Sequence, residues 1–302
     1  MDQNLENKIA VIILNFLKYE DTLRCVNSVQ GSLDAVFFIV DNSGDRSEKK
    51  IIEDNLGKNT RVHLLFPNDN LGFATGVNLA LQEAVRCGFH RFLLLNNDAV
   101  LKEGAGQVLD RAFDQYPGSL IAPGIKWGKD ICFNHYYHKY LGLISKKTPN
   151  QKKGWLAYFT GCALAFDIKT VDNLGYFDES FFMYGEDVEI SHRAQQKGVP
   201  MLLLKEILVN HEGSQSTKMA SLFYEYHTAR AHYLLSFYFF NHPVKTLLSL
   251  LGKSITLTAR ACIRSLRYHN FNPLIALFLA PIPLRIRPRC HKMFPNIKQI
   301  VY

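Results

Sequence analysis

The sequence predicts an α/β fold, a mainly parallel sheet with flanking helices, followed by a C-terminal helical region. Three observations predict it. Short apolar runs rich in β-branched residues alternate with segments of helical spacing over roughly the first hundred residues. Small polar clusters follow the runs, at the strand ends where open α/β sheets bind ligands. From residue 219 onward the pattern turns helical, rich in leucine and aromatics, with basic residues interspersed.

Residues 9–14 (IAVIIL) form a continuous apolar run, as expected of a strand buried on both faces. Residues 21–29 have helical spacing at Leu23, Val26 and Val29. Residues 35–40 (AVFFIV) are a second strand ending in the turn Asp41-Asn42-Ser43-Gly44. Residues 61–66 are a third strand, 73–85 a helix, and 91–95 a fourth strand that ends at Asn96-Asn97-Asp98. The stretch from about 119 to 218 is less regular. Residues 155–166 read as one long strand or two short ones around Gly161, and 187–197 as a helix stopped by Gly198-Val199-Pro200. Residues 201–204 and 207–209 read as short strands leading to His211.

The chain has 302 residues, 47% hydrophobic and 21% charged, which excludes disorder, collagen or a simple coiled coil as its main state. The net charge of +8 is unevenly placed. From residue 219 there are eleven basic residues and one acid, Glu225, so residues 1–218 sum to −2. The expected organisation is therefore a catalytic domain over 1–218 and a basic amphipathic helical region over 219–302. The six cysteines include no CxxC pair, which argues against a cysteine zinc site and fits a reducing compartment. The start of the chain lacks a signal-peptide pattern. Residues 244–263 are interrupted by Lys245, Lys253 and Arg260, and 271–284 are short and hold three prolines, so no transmembrane helix is expected.

Three clusters carry potential chemistry: Asp41-Asn42, Asn97-Asp98, and the run FDESFFMYGED from Phe177 to Asp187, followed by His211. A carboxylate such as Asp98 can hold a hard divalent cation that keeps open positions for diphosphate oxygens. An imidazole from His211 would suit Mn²⁺ better than Mg²⁺. Each residue also has a structural reading. Asp98 is a turn residue, Glu186 and Asp187 cap a helix start, and His211 is a buried structural histidine. Residues 68–78 (NDNLGFATGVN) contain neither GxGxxG nor GxxxxGK.

Taken together and in order, these segments resemble the inverting GT-A glycosyltransferases of family 2, including rhamnosyltransferases and O-antigen transferases, over about residues 8–214. The resemblance rests on Val11-Ile12-Ile13-Leu14-Asn15-Phe16, Ile39-Val40-Asp41-Asn42-Ser43, Asn70-Leu71-Gly72-Phe73-Ala74, Leu95-Asn96-Asn97-Asp98, Gly161-Cys162-Ala163, the FDESFFMYGED run and His211. It implies a Rossmann-like GT-A sheet. It implies that Asn15, Asp41, Asn42 and Asn97 bind the nucleotide-sugar donor, with Asp41 and Asn42 at base and ribose. Asp98 matches the last acid of a DxD-like metal motif and His211 a further metal ligand, for Mg²⁺ or Mn²⁺. Asp187 matches the catalytic base, with Glu186 the competing candidate. Asn96 stands where many members have an acid, and Asn42 where many have a second Asp. The QxxRW motif of processive synthases is absent, which implies addition of one sugar per encounter.

The implied reaction is a single displacement. Asp187 takes the acceptor proton while the leaving diphosphate is stabilised electrostatically. The donor is expected to be of the dTDP-rhamnose or UDP-hexose type, and the acceptor a glycan hydroxyl, lipid-linked, in surface polysaccharide synthesis. Trp155, Tyr158 and Tyr184 are candidates for stacking on a sugar or for core packing. Residues 247–266, with Lys253, Arg260, Arg264 and Arg267, read as an amphipathic helix on an anionic membrane surface, reinforced by Arg285, Arg287 and Arg289. The alternative is a helical subdomain with a merely solvated basic face. The expected location is cytoplasmic, peripheral on the inner face of the cell membrane. Competing functions are a nucleotidyltransferase on a sugar phosphate, disfavoured by the missing glycine-rich basic loop, and a nucleic-acid-binding protein. No nucleic-acid-binding motif accompanies the charge, so nucleic acid is not an expected partner.

Overall fold

The structure is a computed structural model and describes residues 7–151, 153–211 and 220–282. In chain order the first half runs β1 (Ile9–Asn15), α1 (Tyr19–Gln30), β2 (Ala35–Asp41), α2 (Arg46–Leu56), β3 (Val62–Leu65), α3 (Phe73–Arg86), β4 (Arg91–Asn96), β5 (Ala99–Leu101), α4 (Ala105–Gln115), β6 (Leu120–Trp127) and β7 (Asp130–Cys132). Then come β8 (His135–His138), β9 (Ile144–Ser145), β10 (Trp155–Tyr158), β11 (Ala163–Asp167), α5 (Ile168–Leu174), α6 (Glu186–Lys197), β12 (Met201–His211), α7 (Leu222–Phe239), α8 (Pro243–Tyr268) and α9 (Asn272–Leu279).

The main sheet has the order β3-β2-β1-β4-β11-β6-β12-β5, with β7 on the edge of β6. Strands β3, β2, β1 and β4 are parallel, as are β6 and β12. β11 lies antiparallel between β4 and β6. The start of β11 therefore lies beside the carboxyl ends of β1, β2, β4 and β12, a geometry that decides the site. The continuous apolar reading of β1 has a direct cause: Ile9, Val11 and Ile13 face a core with α1 and α4, while Ala10 and Ile12 face one with α3 and α6.

Residues 155–166 form two strands rather than one, and in different sheets: β10 pairs with β8 in a three-stranded sheet, β11 joins the main one. Residues 201–211 are one strand with two register irregularities, not two strands. The Gly198 stop of α6 is as expected, at φ 69°.

Packing crosses the expected boundary at 218. α7 contributes Ala231, Leu234, Leu235 and Phe239 to a cluster with Leu156 and Tyr158 of β10, Phe181, and Val188 of α6. α8 is a single 26-residue helix containing an 18-residue stretch of mean hydropathy 1.2, long and apolar enough to cross a membrane by length and composition. Lys245, Lys253 and Arg260, which the sequence reading counted as interruptions, are spread widely enough to leave that one stretch. The basic face is corrected. Lys253 is fully buried, and Arg260 and Arg264 turn inward onto buried Glu225 at 2.6 and 2.7 Å. The Arg285–Arg289 cluster lies outside the described residues.

Glu225 is thus the anion that fastens α8 to α7. Removing one partner of a buried pair leaves the other charge uncompensated. Glu225→Ala is expected to lower unfolding free energy by about 3 kcal/mol, read by chemical denaturation. Loss of less than about 0.5 kcal/mol, the scale of an exposed ion pair, would contradict this.

Candidate active site

The site assembles at the carboxyl edge of the main sheet, where Asn15, Asp41, Asn42, Asn97, Asp98, Asp187 and His211 lie with Glu186 adjacent, while Trp155 and Tyr158 sit on β10 of the smaller sheet, Tyr158 in a core cluster. β1 ends at Asn15 and β2 at Asp41, register partners in the parallel pair. Asn15 Nδ2 donates to Asp41 Oδ1 at 2.9 Å and to Glu48 Oε2 at 3.1 Å, while its Oδ1 accepts from Thr22 Oγ1 at 2.7 Å. Asn97 Nδ2 approaches Thr22 Oγ1 at 3.3 Å, so one polar chain runs from Asn97 to Asp41. Both Asn15 and Asp41 are buried, and their mutual hydrogen bonds hold a fixed floor.

Asn42 does a different job from its neighbour. Its Nδ2 donates to Asn70 Oδ1 at 2.9 Å and to the Gly72 carbonyl at 3.0 Å, and its Oδ1 accepts from Leu71 N–H at 2.8 Å. The amide is spent on the 70–72 turn. Gly72 has φ 80°, and a Cβ there would stand 2.5 Å from the Phe182 carbonyl oxygen. Phe73 N–H donates to that same oxygen at 2.6 Å. The turn at 70–73 is therefore docked on the FDESFFMYGED segment. From the other side, Asn78 Nδ2 donates to the Phe177 carbonyl and to Glu179 Oε1, at 2.9 and 3.0 Å.

Asp98 and His211 meet at the end of β12. His211 Nε2 stands 2.9 Å from Asp98 Oδ1, and both side chains are buried. The approach is off the N–H direction, and neither ring nitrogen of His211 has a hydrogen-bond partner. Two orphaned imidazole nitrogens beside a buried carboxylate fit a divalent cation, with one carboxylate oxygen and one nitrogen as ligands. Trp127 packs edge-on to His211 with ring centroids 4.5 Å apart, fixing the imidazole plane. Another group of metal-capable side chains, His63, Glu83 and Cys87, lies away from this edge, at the C-terminal end of α3. There Arg86 already holds Glu83.

Asp187 comes to the same edge from the first turn of α6. Tyr184 at φ 67° and Gly185 at φ 89° both take left-handed backbone just before it. A Cβ at Gly185 would press on Ala231 and the Phe181 ring, each at 3.0 Å. Asp187 Oδ1 accepts from Val188 N–H at 2.8 Å, and Oδ2 from Gly161 N–H, just before β11, at a long 3.4 Å. Glu186 is buried and its Oε2 has no hydrogen-bond partner, while Asp187 is partly exposed. Burial pushes the Asp187 carboxyl up from its ordinary range, with the backbone N–H groups opposing the rise. Glu186 is pushed up by burial and then by the charge of Asp187. Only Asp187 has backbone N–H groups facing both carboxylate oxygens, which favour its charged form over that of Glu186.

Sequence reading missed Glu48, Thr22, Trp127 and the Asn78–Glu179 contact. The spacing from Asn15 to Thr22 is local and was readable; the others depend on elements distant in sequence.

The site thus combines a mixed sheet with a polar carboxyl edge, a Trp-buttressed Asp–His pair and an adjacent Asp–Glu pair. The family model for glycosyl transferase family 2 matches residues 10–175, and the chain belongs to that family. The match stops short of Glu186, Asp187 and His211, whose placement rests on the geometry above. A curated relative, the low-salt glycan biosynthesis hexosyltransferase Agl10 of Haloferax volcanii, is 22% identical over 247 residues, covering 78% of each chain. The structure of GalNAc-T7 with UDP, GalNAc and Mn²⁺ is similar at a TM-score of 0.59 and 16% identity, over 76% of this chain. The chain spans only 48% of that protein's length. A mannosyltransferase of Pyrobaculum calidifontis in complex with GDP-Man and Mn²⁺ is similar at 0.53 and 13% identity, covering 91% of this chain and 86% of that one. The fold is thus GT-A-like, a mostly parallel sheet with flanking helices.

The raised Glu186 carboxyl has a stability consequence. Above the unfolded-state value near 4.3 the unfolded chain sheds this proton while the folded chain keeps it, so stability falls as pH rises toward the folded-state value. Glu186→Gln removes that loss. It is expected to raise stability at pH near 8 by more than about 1 kcal/mol and to change little near pH 4. A variant equally or less stable at both pH values would contradict this.

Proposed function

We propose that the protein is an inverting, metal-dependent glycosyltransferase that moves one sugar from a nucleotide-diphospho-sugar to a hydroxyl of a lipid-linked glycan at the cytoplasmic face of a membrane. The observation that carries the reading is the convergence of the Asp98–His211 pair and Asp187 on one edge of the sheet in a family 2 chain. Donors of the dTDP-rhamnose or UDP-hexose type fit the acid at Asp41, a partner for ribose or base donors. The hexosyltransferase and Mn²⁺-bound relatives support the same class.

The roles follow from the contacts. Asp41, fixed by Asn15, presents a carboxylate to nucleoside N–H or O–H groups. Asn42 acts through the turn it holds at 70–72, and Asn97 through Thr22. Asp98 and His211 would hold Mn²⁺ or Mg²⁺. A cation there supplies Lewis-acid stabilisation of charge on the departing diphosphate. Asp187 accepts the acceptor proton on Oδ2, its less strongly held oxygen. The neutral Glu186 keeps the pair from carrying two adjacent charges. Inversion follows from one displacement with no enzyme nucleophile.

Asp187→Asn is expected to reduce transfer by about a thousandfold while nucleoside-diphosphate affinity, read by calorimetry, stays within about threefold. Near-normal turnover would refute the assignment. Asp98→Asn or His211→Ala should abolish the increment that Mn²⁺ adds to nucleoside-diphosphate binding. Full metal enhancement in either variant would remove both from the metal site. Release of pyrophosphate rather than nucleoside diphosphate would overturn the reaction class.

A further inference from the structure

α8 is amphipathic in the reverse sense from a helix lying on a soluble core. Its buried stripe is Ser249, Lys253, Leu257 and Ala261, spaced by four. Lys253 donates to the His232 carbonyl at 2.8 Å and to Ser236 Oγ at 3.0 Å. Ser249 Oγ donates to the Lys139 carbonyl at 2.8 Å and lies in hydrogen-bond contact with Ser236 Oγ at 3.0 Å. Ser249 and Lys253 are thus satisfied from within. Its outward stripe is the apolar one: Leu247, Leu248, Leu251, Ile255, Ile263 and Leu266 are 54–77% exposed. The positions between them, Thr258, Ala259 and Cys262, are exposed and uncharged. Exposed cations stand only at the two ends, Lys245 and Arg267. The apolar surface continues on the next helix through Phe271, Phe278 and Ile282, 67–76% exposed. A surface of this extent marks an interaction site.

Charge decides what covers it. Lys245 and Arg267 flank the stripe, and the chain after Ile282 carries Arg285, Arg287, Arg289, Lys292 and Lys298 with no acid. A second copy would bring its own Lys245 and Arg267 to the same rim and be repelled. Lipid phosphates are their complement. Crossing the bilayer is opposed by the inner side of α8, which is bound through Lys253, Arg260 and Arg264 to α7. In turn α7 is packed on β10 and α6.

We propose that the outward face of α8, continued by α9, lies in the plane of a bilayer, sunk to the acyl boundary, and that apolar burial rather than the basic charge supplies most of the binding. This rests on the reading that the enzyme works at a membrane and names the surface that does it. The mode differs from a basic helix on anionic headgroups, because three of the cations that suggested that mode, Lys253, Arg260 and Arg264, turn inward onto α7. The membrane face is rigidly tied to the active site. Arg264 stacks on Tyr224, which packs against Tyr184 at 5.4 Å between ring centroids, two residues before Glu186. Tyr238 of α7 donates to Asp178 at 2.8 Å. The cleft is therefore held at a set height over the lipid surface, where an acceptor anchored in the bilayer would present its glycan.

Flotation of the full chain with vesicles of phosphatidylcholine alone, and with added phosphatidylglycerol, tests this at low salt and at about 0.5 M NaCl, where the screening length is a few ångströms. The expected result is binding to both vesicles that survives high salt, lost by at least about tenfold in Ile255→Glu/Leu266→Glu. That variant should keep nucleoside-diphosphate binding, which shows that it folds. A fluorophore on Cys262, in a Cys87→Ser/Cys290→Ser background, should be quenched by lipids brominated near the headgroup. Binding only to anionic vesicles, abolished by salt and unchanged in the double variant, would overturn this face while leaving a membrane location standing. Quenching strongest at the bilayer midplane would overturn the in-plane mode in favour of a span. No binding to either vesicle, with a dimer in sedimentation that the double variant disperses, would overturn both the face and the membrane reading.

Discussion

A half-buried carboxylate, Asp187, at the first turn of α6 beside the buried Glu186, sets the demands that the rest of the structure meets. Two backbone N–H groups face Asp187 and favour its charged form, while burial and the charge of Asp187 push the carboxyl of its neighbour Glu186 up. The cost is local. Two successive residues, Tyr184 and Gly185, take left-handed backbone to turn the chain into the helix, and only the second is a glycine. Such a conformation persists only when its surroundings over-determine it. Here they do so with the Phe181 ring, Ala231 of α7 and the Tyr184–Tyr224 contact.

The antiparallel strand β11 is the other half of that arrangement. By running against β4 it brings Gly161 to the same edge as Asp98, and its neighbour Cys162 accepts from Asn96 N–H at 2.9 Å. One backbone segment thus spaces the Asp98 carboxylate from that of Asp187. The FDESFFMYGED segment spaces the base from the 70–73 turn through the Phe182 carbonyl. The helical C-terminal region is not an appendage to this: Tyr238 and Ala231 of α7 brace the segment that carries Asp187, and α8 is fastened to α7 by groups that are polar and inside. The architecture links donor edge, base and outer apolar surface through a few short contacts.

What was legible in the sequence follows from where each signal is stored. β1, β2 and β4 were readable because a strand covered on both faces is apolar at every position. α3 and α6 were readable from spacing and from the Gly198 stop. α2 was not, because in RSEKKIIEDNL only Ile52 and Leu56 are buried, too few to set a period. The site residues were placed by order and motif, and all of them reach one edge. The role of Asn42 was not legible, since nothing local says that its amide is taken by residues 70–72. The polarity of α8 was misread for a related reason. Helical spacing divides a helix into two faces but does not say which faces in, and the partners that draw Lys253, Arg260 and Arg264 inward are His232, Ser236 and Glu225 on another helix.

The central claim is that Asp187, lifted by burial, is the group that must be unprotonated for transfer. The most direct measurement is the pH dependence of single-turnover sugar transfer at saturating donor, metal and acceptor. The account predicts an acid limb with its midpoint clearly above the ordinary aspartate value near 3.9, because protonating Asp187 removes the base. A rate that stays flat down to about pH 4.5 would contradict it.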